Sequence, residues 1–377
     1  LIERELSALN RINLFPVPDA DTGTNMLLTV RRAYQELAGL EGSTRPPVGQ
    51  VAALFADGAF AGARGNSGVI LSQIFRGFAD SINGAVNLDA ASLVSALRRA
   101  SDVAYASVAQ PVEGTMLTVI RDVADAVEPL AARRDAGVRD VLVVAASAAH
   151  ESVRRTPELL PVLREHGVVD AGALGVALFL QGMRDGLGEA APSDSGAAPE
   201  KYWQESRDEE DVHSEAASRS RHAGGTVTNE AAADPGIEER QHAAFGYCTG
   251  FLISEAQAEL SEVRSVFEEL GDSLVVARAG ASIRVHLHTT EPGKALTAAL
   301  RLGALHDIAV LNMDDQYDEF VLHAPEHDQE PAAEPLPDLA VLAFAPGDGF
   351  AAVFESLGAR VCDLTQIAPE DVADLAR

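Results

Sequence analysis

Apolar side chains recur at three- and four-residue spacing through the first half of the chain. Leu27, Val30, Tyr34 and Leu37 form one stripe and Met116, Ile120, Val123 and Val127 another, the pattern of helices that bury one face. Further helices are predicted over 67–80, 91–107, 139–153 and 172–186, and almost no segment alternates with period two. Residues 1–188 are therefore expected to form an all-α domain, alanine-rich enough for close helix packing, with glycine clusters between helices, where loops carry function. The chain opens at Leu1 already in helical spacing (Ile2, Leu6, Leu9), so an upstream segment is expected.

From about 189 to 243 the apolar pattern stops. This run is rich in Ser, Ala, Gly and Glu and nearly free of aliphatic residues, too few to offset chain entropy, which predicts a disordered linker whose one adhesive spot is Tyr202-Trp203. Beyond it the period changes to two. Residues 246–253, 272–277 and 282–289 read as strands, 255–270 and 292–302 as helices, and 307–312 as a last strand. That β-α-β-β-α-β order predicts a small ferredoxin-like α+β domain over 244–323. A second linker, 324–338, precedes a strand, a Gly turn and a helix within 339–377, the expected start of an α/β domain that this chain does not complete.

Composition narrows the classes of function. A chain of 377 residues that is 47% apolar suits two or three globular domains. Against 29 Lys+Arg stand 57 Asp+Glu, and a net charge of -28 repels nucleic acid and anionic membranes, so neither is expected as a partner. The longest apolar runs, such as 140–149, are too short to cross a bilayer, and no signal-peptide pattern is visible. Two cysteines, Cys248 and Cys362, lie far apart and form no disulfide framework; a cytoplasmic protein is the expectation.

The loops hold the candidate chemistry. In "INLFPVPDADTGTNM" (12–26), Asp19 and Asp21 sit one residue apart in a turn preset by Pro16 and Pro18, so both carboxylates can enter one pocket. Such a pair suits Mg²⁺, which takes one or two carboxylates beside phosphate oxygens and water. Gly23 permits a tight turn, and Thr24 or Asn25 can cap the helix that follows; an Asx-rich turn that only caps a helix fits the same residues. In "GARGNSGVILSQ" (62–73), Gly62, Gly65 and Gly68 lead into a helix and allow backbone N–H groups to approach phosphates, with Asn66 and Ser67 as side-chain donors. It is neither a Walker loop nor a dinucleotide fingerprint, and a plain glycine turn is the competing reading. Two more loops open helices, one with Gly114 and Thr115, the other with Asp170, Ala171 and Gly172. Four such loops predict one end of a helical bundle lined for a polyanion. In the α+β domain, His286 and His288 leave the same face of a strand, and Cys248 lies on another strand of the sheet. A thiolate and two imidazoles match a zinc site with one open position, and ordinary polar residues match as well. His306 and His323 are candidates for a fourth ligand.

The run of "FPVPDADTGTNM", "GARGNSGVILSQIFRGF", "PVEGTMLTV" and "VVDAGALGVALFLQGM", continued by "GYCTGFLI" and "VHLHTTEPGKAL", closely resembles the fatty acid kinase A subunit, whose nucleotide domain is related to the dihydroxyacetone kinase L subunit. The resemblance covers nearly the whole chain outside the linkers and reaches weakly into a DegV-like start at 339–361. It implies an antiparallel eight-helix barrel that binds ATP at one end with two Mg²⁺ ions on Asp19 and Asp21. Thr22, Gly23, Thr24, Asn25, Gly65, Asn66, Ser67, Gly68, Gly114, Thr115, Asp170, Ala171 and Gly172 fall at its nucleotide-binding loops. A third aspartate of the dihydroxyacetone relatives falls on Leu14 here, which makes the neighbouring Asn13 the candidate third Mg²⁺ ligand. The resemblance also implies Zn²⁺ on Cys248, His286 and His288, a homodimer formed through the middle domain, and a separate DegV-like carrier protein that presents a fatty acid for phosphorylation to an acyl phosphate. The Gln-Thr-Met-Asn-Pro stretch typical of the C-terminal domain reads "CDLTQIAPE" here, so the tail carries no functional expectation. A small polyol kinase and a nucleotide-binding regulatory scaffold are the alternative functions.

Overall fold

The computed structural model describes residues 1–40, 46–187 and 246–315, and the strands 342–345 and 360–363. The expected linkers at 189–243 and 324–338, and His323, lie outside the described residues. Residues 1–323 form one compact unit and 324–377 a second.

The helical part opens with α1 (Leu6–Arg11) and continues through α2 (Thr22–Glu36), α3 (Val48–Gly62), α4 (Gly65–Ser81), α5 (Ala90–Ser107), α6 (Met116–Val127), α7 (Val138–Arg154), the short α8 (Thr156–Leu159) and α9 (Pro161–Glu165), and α10 (Ala171–Asp185). Each long helix packs on the next, and α10 returns to α1 and α2, which closes the packing into a ring. The expected helices at 67–80, 91–107, 139–153 and 172–186 are α4, α5, α7 and α10, each within two residues. Helix α5 begins where the Asp89 carboxylate caps it by accepting the Ser92 N–H at 2.8 Å.

Two details depart from the periodicity. Of the stripe predicted on α2, Leu27 is buried and Val30 packs on the core, whereas Tyr34 is 72% exposed, and Met26, Thr29 and Ala33 are buried as well. Small side chains set that face because α3 lies close: a Cβ on Gly58 would come within 2.8 Å of the Ala33 Cα. Helix α3 itself carries no clean polar stripe, since alanines and glycines run around it, and its contrast was too low for the pattern to mark it.

The α+β part follows the expected order. Strands β1 (Tyr247–Ser254), β2 (Asp272–Ala279), β3 (Ser282–Thr289) and β4 (Ala304–Asn312) alternate with α11 (Leu260–Glu268) and α12 (Pro292–Ala299). All neighbours are antiparallel in the order β2-β3-β1-β4. Both faces of this sheet are covered. Phe251, Ile253, Leu274, Val276, Ile283, Val285 and Leu287 make a core with Val263 and Phe267 of α11 and Ala295 and Ala299 of α12. The opposite face meets the helical ring: Val275 and Ala277 belong to the core of the ring, and Leu252 packs against it. Strands β2 and β3 rest on α4, and β2 also meets α5. The seam is hydrogen-bonded too, with the Ala109 N–H donating to the Leu274 carbonyl at 3.1 Å. Among the described residues no helix is long and apolar enough to cross a membrane.

The second unit contains β5 (Leu342–Ala345) and β6 (Arg360–Asp363), paired in parallel. A parallel pair requires a crossover, as an α/β unit does.

Candidate functional site

Asp19 and Asp21 lie in the turn before α2, and the residue between them, Ala20, has φ +53. This left-handed step brings both carboxyls together, and they hydrogen-bond one another. Burial, and then the charge of Asp21, pushes Asp19 up to about 8. Burial raises Asp21 as well, against a hydrogen bond from Asn25. Two acids held in so poor a setting for negative charge fit a divalent cation, whose charge removes the cost of ionising both. Asn13 is fully engaged by protein groups: its amide N donates to the Val17 carbonyl at 3.0 Å and to Asp19 Oδ1 at 2.5 Å, and its Oδ1 accepts from the Thr22 hydroxyl. It holds the carboxylate loop in place.

Helix α2 starts at Thr22, and Asp21 stands at its N-cap with no side-chain capping bond. Thr24 and Asn25 are therefore inside the first turn and do not cap it. Thr24 turns toward α1, where its N–H and hydroxyl meet the Asn10 side chain at 3.1 and 3.0 Å. Gly23 also faces α1, since a Cβ there would come within 2.8 Å of the Leu6 carbonyl oxygen. Asn25 points the other way, against Gly65: a Cβ on that glycine, which has φ +59, would lie 2.3 Å from Asn25 Nδ2.

Of the three spaced glycines, Gly65 is the one that makes the turn. Gly62 and Gly68 serve helix packing, because Cβ atoms there would strike the Arg32 Cβ at 2.4 Å and the Thr29 Oγ1 at 2.7 Å. Gly65, Asn66 and Ser67 form the first turn of α4, where backbone N–H groups have no helical acceptor. Asn66 Oδ1 is buried without a hydrogen-bond partner.

The starts of α6 and α10 arrive at the same place. Thr115 caps α6, its hydroxyl oxygen accepting from the Leu117 N–H at 3.4 Å while its proton goes to the Val112 carbonyl at 2.7 Å. Gly114 has φ +87, and its N–H donates to Thr118 Oγ1, which in turn donates to Glu113, itself ion-paired with Arg121 at 2.7 Å. Asp170 caps α10, accepting from the Ala173 N–H at 2.7 Å and from the backbone of Met116, so one carboxyl joins two helix starts. Its complete burial pushes it up to about 7. Ala171 and Gly172 open α10 and are buried. Thr22, Asn66, Ser67, Thr115, Met116, Asp170 and Gly172 thus line one cleft of about 270 Å³. Phe15 and Pro16 of the carboxylate loop line it too, and part of its wall has no counterpart among the expected site residues: the turn Val108–Gln110, and Glu268 and Gly271–Val275 from the α+β part. The β2 part of this wall is shaped by a bulge, where Ser273 has φ +51 between two registers of pairing.

Cys248, His286 and His288 are all buried, with their ligand atoms within 4.8 Å of one another and Cys248 Sγ 4.0 Å from His286 Nε2. The register explains this, because Cys248 pairs with His288 and Gly250 with His286, which leaves room over the glycine. Burial, then the neighbouring His288, pushes His286 down to about 3, and burial lowers His288. Burial, then the charges of Asp21 and Asp19, pushes the Cys248 thiol up to about 12. Neutral imidazoles beside a sulfur fit a metal, which would replace the thiol proton. Val17 of the carboxylate loop packs on Cys248, which brings this cluster next to that loop. His306 is elsewhere, bonded to Ser254 at 2.9 Å.

Residues 16–185 match the DAK2 domain, and residues 244–320 match the FakA-like middle domain, that of proteins like the A component of fatty acid kinase. The chain carries both domains, one after the other. One relative is protein YloV of Bacillus subtilis, 34% identical over 96% of this chain. Another is an uncharacterised protein of Staphylococcus haemolyticus, 33% identical over 93%. The chain spans 61% and 60% of their lengths. The solved dihydroxyacetone kinase of C. freundii superposes at a TM-score of 0.35 with 20% identity, over 49% of this chain and 32% of its own, too remote to argue from. In these terms the DAK2 domain supplies the carboxylate pair and most of the cleft, and the middle domain supplies the Cys/His cluster and the last wall.

Proposed function

We propose that the chain transfers the γ-phosphoryl group of ATP to the carboxylate of a fatty acid presented by a separate carrier protein, giving an acyl phosphate. The observation that carries this reading is the convergence of the first turns of α4, α6 and α10 on one cleft that Thr22, the residue after Asp21, also lines. We read the ring as the eight-helix barrel of the resemblance and the parallel pair β5-β6 as the start of a DegV-like domain. A cytoplasmic homodimer is part of the same proposal.

The chain's own residues divide the work. Backbone N–H groups at Gly65–Ser67 and at Ala171 and Gly172 face the phosphates and stabilise the charge that spreads over them, while those of Met116, Leu117 and Ala173 are taken by Asp170 and Thr115. Asn66 Oδ1, without a partner, is free to accept from the base, and Ser67 donates a side-chain hydrogen bond, whereas the Thr115 hydroxyl proton stays on the Val112 carbonyl and shapes the start of α6. Asp19 and Asp21 would hold Mg²⁺, two ions in the resemblance, with Asn13 fixing Asp19. Such cations neutralise the phosphates and the departing charge. A fatty acid carboxylate is its own nucleophile, so one of its oxygens forms the new bond to phosphorus as the bond to ADP breaks, and no general base is needed. Cys248, His286 and His288 would hold Zn²⁺ with one coordination position left, beside the carboxylate pair, where the cluster can orient the incoming acceptor.

The test is ATP consumption by the full chain with a fatty-acid-loaded carrier, with the empty carrier, and with dihydroxyacetone. Acyl phosphate formed only with the loaded carrier supports the proposal. Turnover of dihydroxyacetone makes it a polyol kinase, and tight ATP binding with no acceptor turned over makes it a regulatory scaffold.

A further inference from the structure

Arg284 lies on β3 two residues before His286, on the same face of the sheet, and is 5% exposed. A buried guanidinium needs acceptors, and it takes them from the other domain. Its Nε donates to the Phe60 carbonyl at 2.9 Å and its Nη2 to the Ala61 carbonyl at 3.0 Å, and its guanidinium carbon lies 5.8 Å from the Phe60 ring centre. Both carbonyls belong to the last turn of α3, where helix acceptors have no N–H of their own and a cation is favoured. Asp307 completes the set at 3.2 Å from Nη2. It reaches there from a bulge in β4, with φ +48 at the point where the register against β1 shifts.

From Ala61 the backbone has three residues to travel before the turn at Gly65 that opens α4. We infer that Arg284 is a positioning residue: by capping the end of α3 from the middle domain, it sets the path of residues 62–67 and so the aim of the α4 N–H groups at a nucleotide's phosphates. This rests on the nucleotide-binding reading above. The middle domain thereby acts on the nucleotide end of the site through a residue that touches no nucleotide. The same strand carries His286 and His288, so the docking that seats the Cys/His cluster also fixes the loop.

The experiment uses the full chain and its Arg284→Gln, Arg284→Lys and Asp307→Asn variants. Mg-ATP affinity and amide hydrogen exchange, with and without nucleotide, are measured on each. The guanidinium fork reads two successive carbonyls at once, so Arg284→Gln is expected to weaken Mg-ATP about tenfold, a modest misplacement by the standard of catalytic loops. Asp307→Asn is expected to weaken it less, and Arg284→Lys to recover part of the loss. Amides 62–68 should exchange faster in Arg284→Gln while the β1-β3 ladder keeps its protection. Unchanged affinity in Arg284→Gln overturns the inference, as does loss of ladder protection together with affinity, which would mean that the residue only holds the domain folded. If the wild type binds no nucleotide, the functional reading falls, and the exchange of amides 62–68 without nucleotide still decides whether Arg284 sets the loop.

Discussion

The carboxylate pair and the Cys/His cluster stand side by side, yet they are built by opposite means. The pair comes from a loop: one left-handed residue, Ala20, between two acids. The cluster comes from strand register, with side chains fixed by pairing between β1 and β3. Burial pushes the acids and the thiol up and the imidazoles down, so without metal each cluster is driven toward its uncharged form. A cation is what both lack. Two adjacent cation-seeking clusters contributed by two domains make their seam the place where chemistry is expected, rather than the interior of either domain.

The sharpest way to break this comparison is to remove one member of the pair. Asp19→Ala or Asp21→Ala is expected to lower phosphoryl transfer by about 10³-fold or more with unchanged far-ultraviolet circular dichroism, because the carboxylates act on developing charge and not on the core. Near-normal turnover with Mg²⁺ in either variant would remove the pair from the mechanism. On the other side, purified full chain is expected to hold about one zinc, and Cys248→Ala, His286→Ala or His288→Ala to lower that content and the transfer rate. Elemental analysis that finds no stoichiometric metal in the wild type would leave the cluster metal-free.

Stability against pH sharpens the contrast. In chelator-treated protein, Asp19 titrates near 8 when folded and near 3.8 when unfolded. Its contribution is fully present below the unfolded value and is lost as pH rises toward 8. His286 moves the other way, from 6.5 down to about 3, so its contribution is present above 6.5 and is lost as pH falls toward 3. Melting temperature against pH should therefore fall on both sides. Asp19→Asn should flatten the alkaline limb and His286→Gln the acid limb. Added Mg²⁺ should raise the melting temperature more at about pH 8 than at about pH 6, where protons compete for the carboxylates. Equal Mg²⁺ effects at both values would count against the pair as its binding site.

The smallest effects concern α2, where periodicity and packing disagreed. Ala33→Leu overfills a fully buried position against α3 and should cost about 1–3 kcal/mol. Tyr34→Ser, at an exposed position, should change denaturant stability by less than about 0.5 kcal/mol. The reverse order would restore the stripe read from the sequence.

That disagreement shows what a pattern of apolar positions contains. Helices α5 and α7 were legible because each has one apolar and one polar face, α4 and α10 because a long apolar run follows a glycine-containing loop, and β3 because apolar and polar residues alternate along it. Helix α3 was not, because Ala and Gly supply close packing without polar contrast. The candidate residues at helix starts were legible as residue types, and Asn66, Ser67, Thr115, Asp170 and Gly172 do meet at one cleft. Their division of labour was not. Gly23, Thr24, Gly62 and Gly68 turned out to serve helix contacts, which depend on neighbours distant along the chain. The wall at 108–110 and 268–275, and the grip of Arg284 on Phe60 and Ala61, join positions some 160 or more residues apart. Nothing local records a docking of that kind, although a charged residue two positions before His286 on the same strand face was a visible signal.

The contact between Asn25 and Gly65 has a mechanical meaning. Asn25 bonds Asp21 on one side and leaves no room for a methyl group on Gly65 on the other. The gap between the carboxylate loop and the first turn of α4 is therefore set by a hard stop: it resists compression steeply and extension only weakly. Whatever occupies the space between those two elements meets a gauge of fixed minimum width.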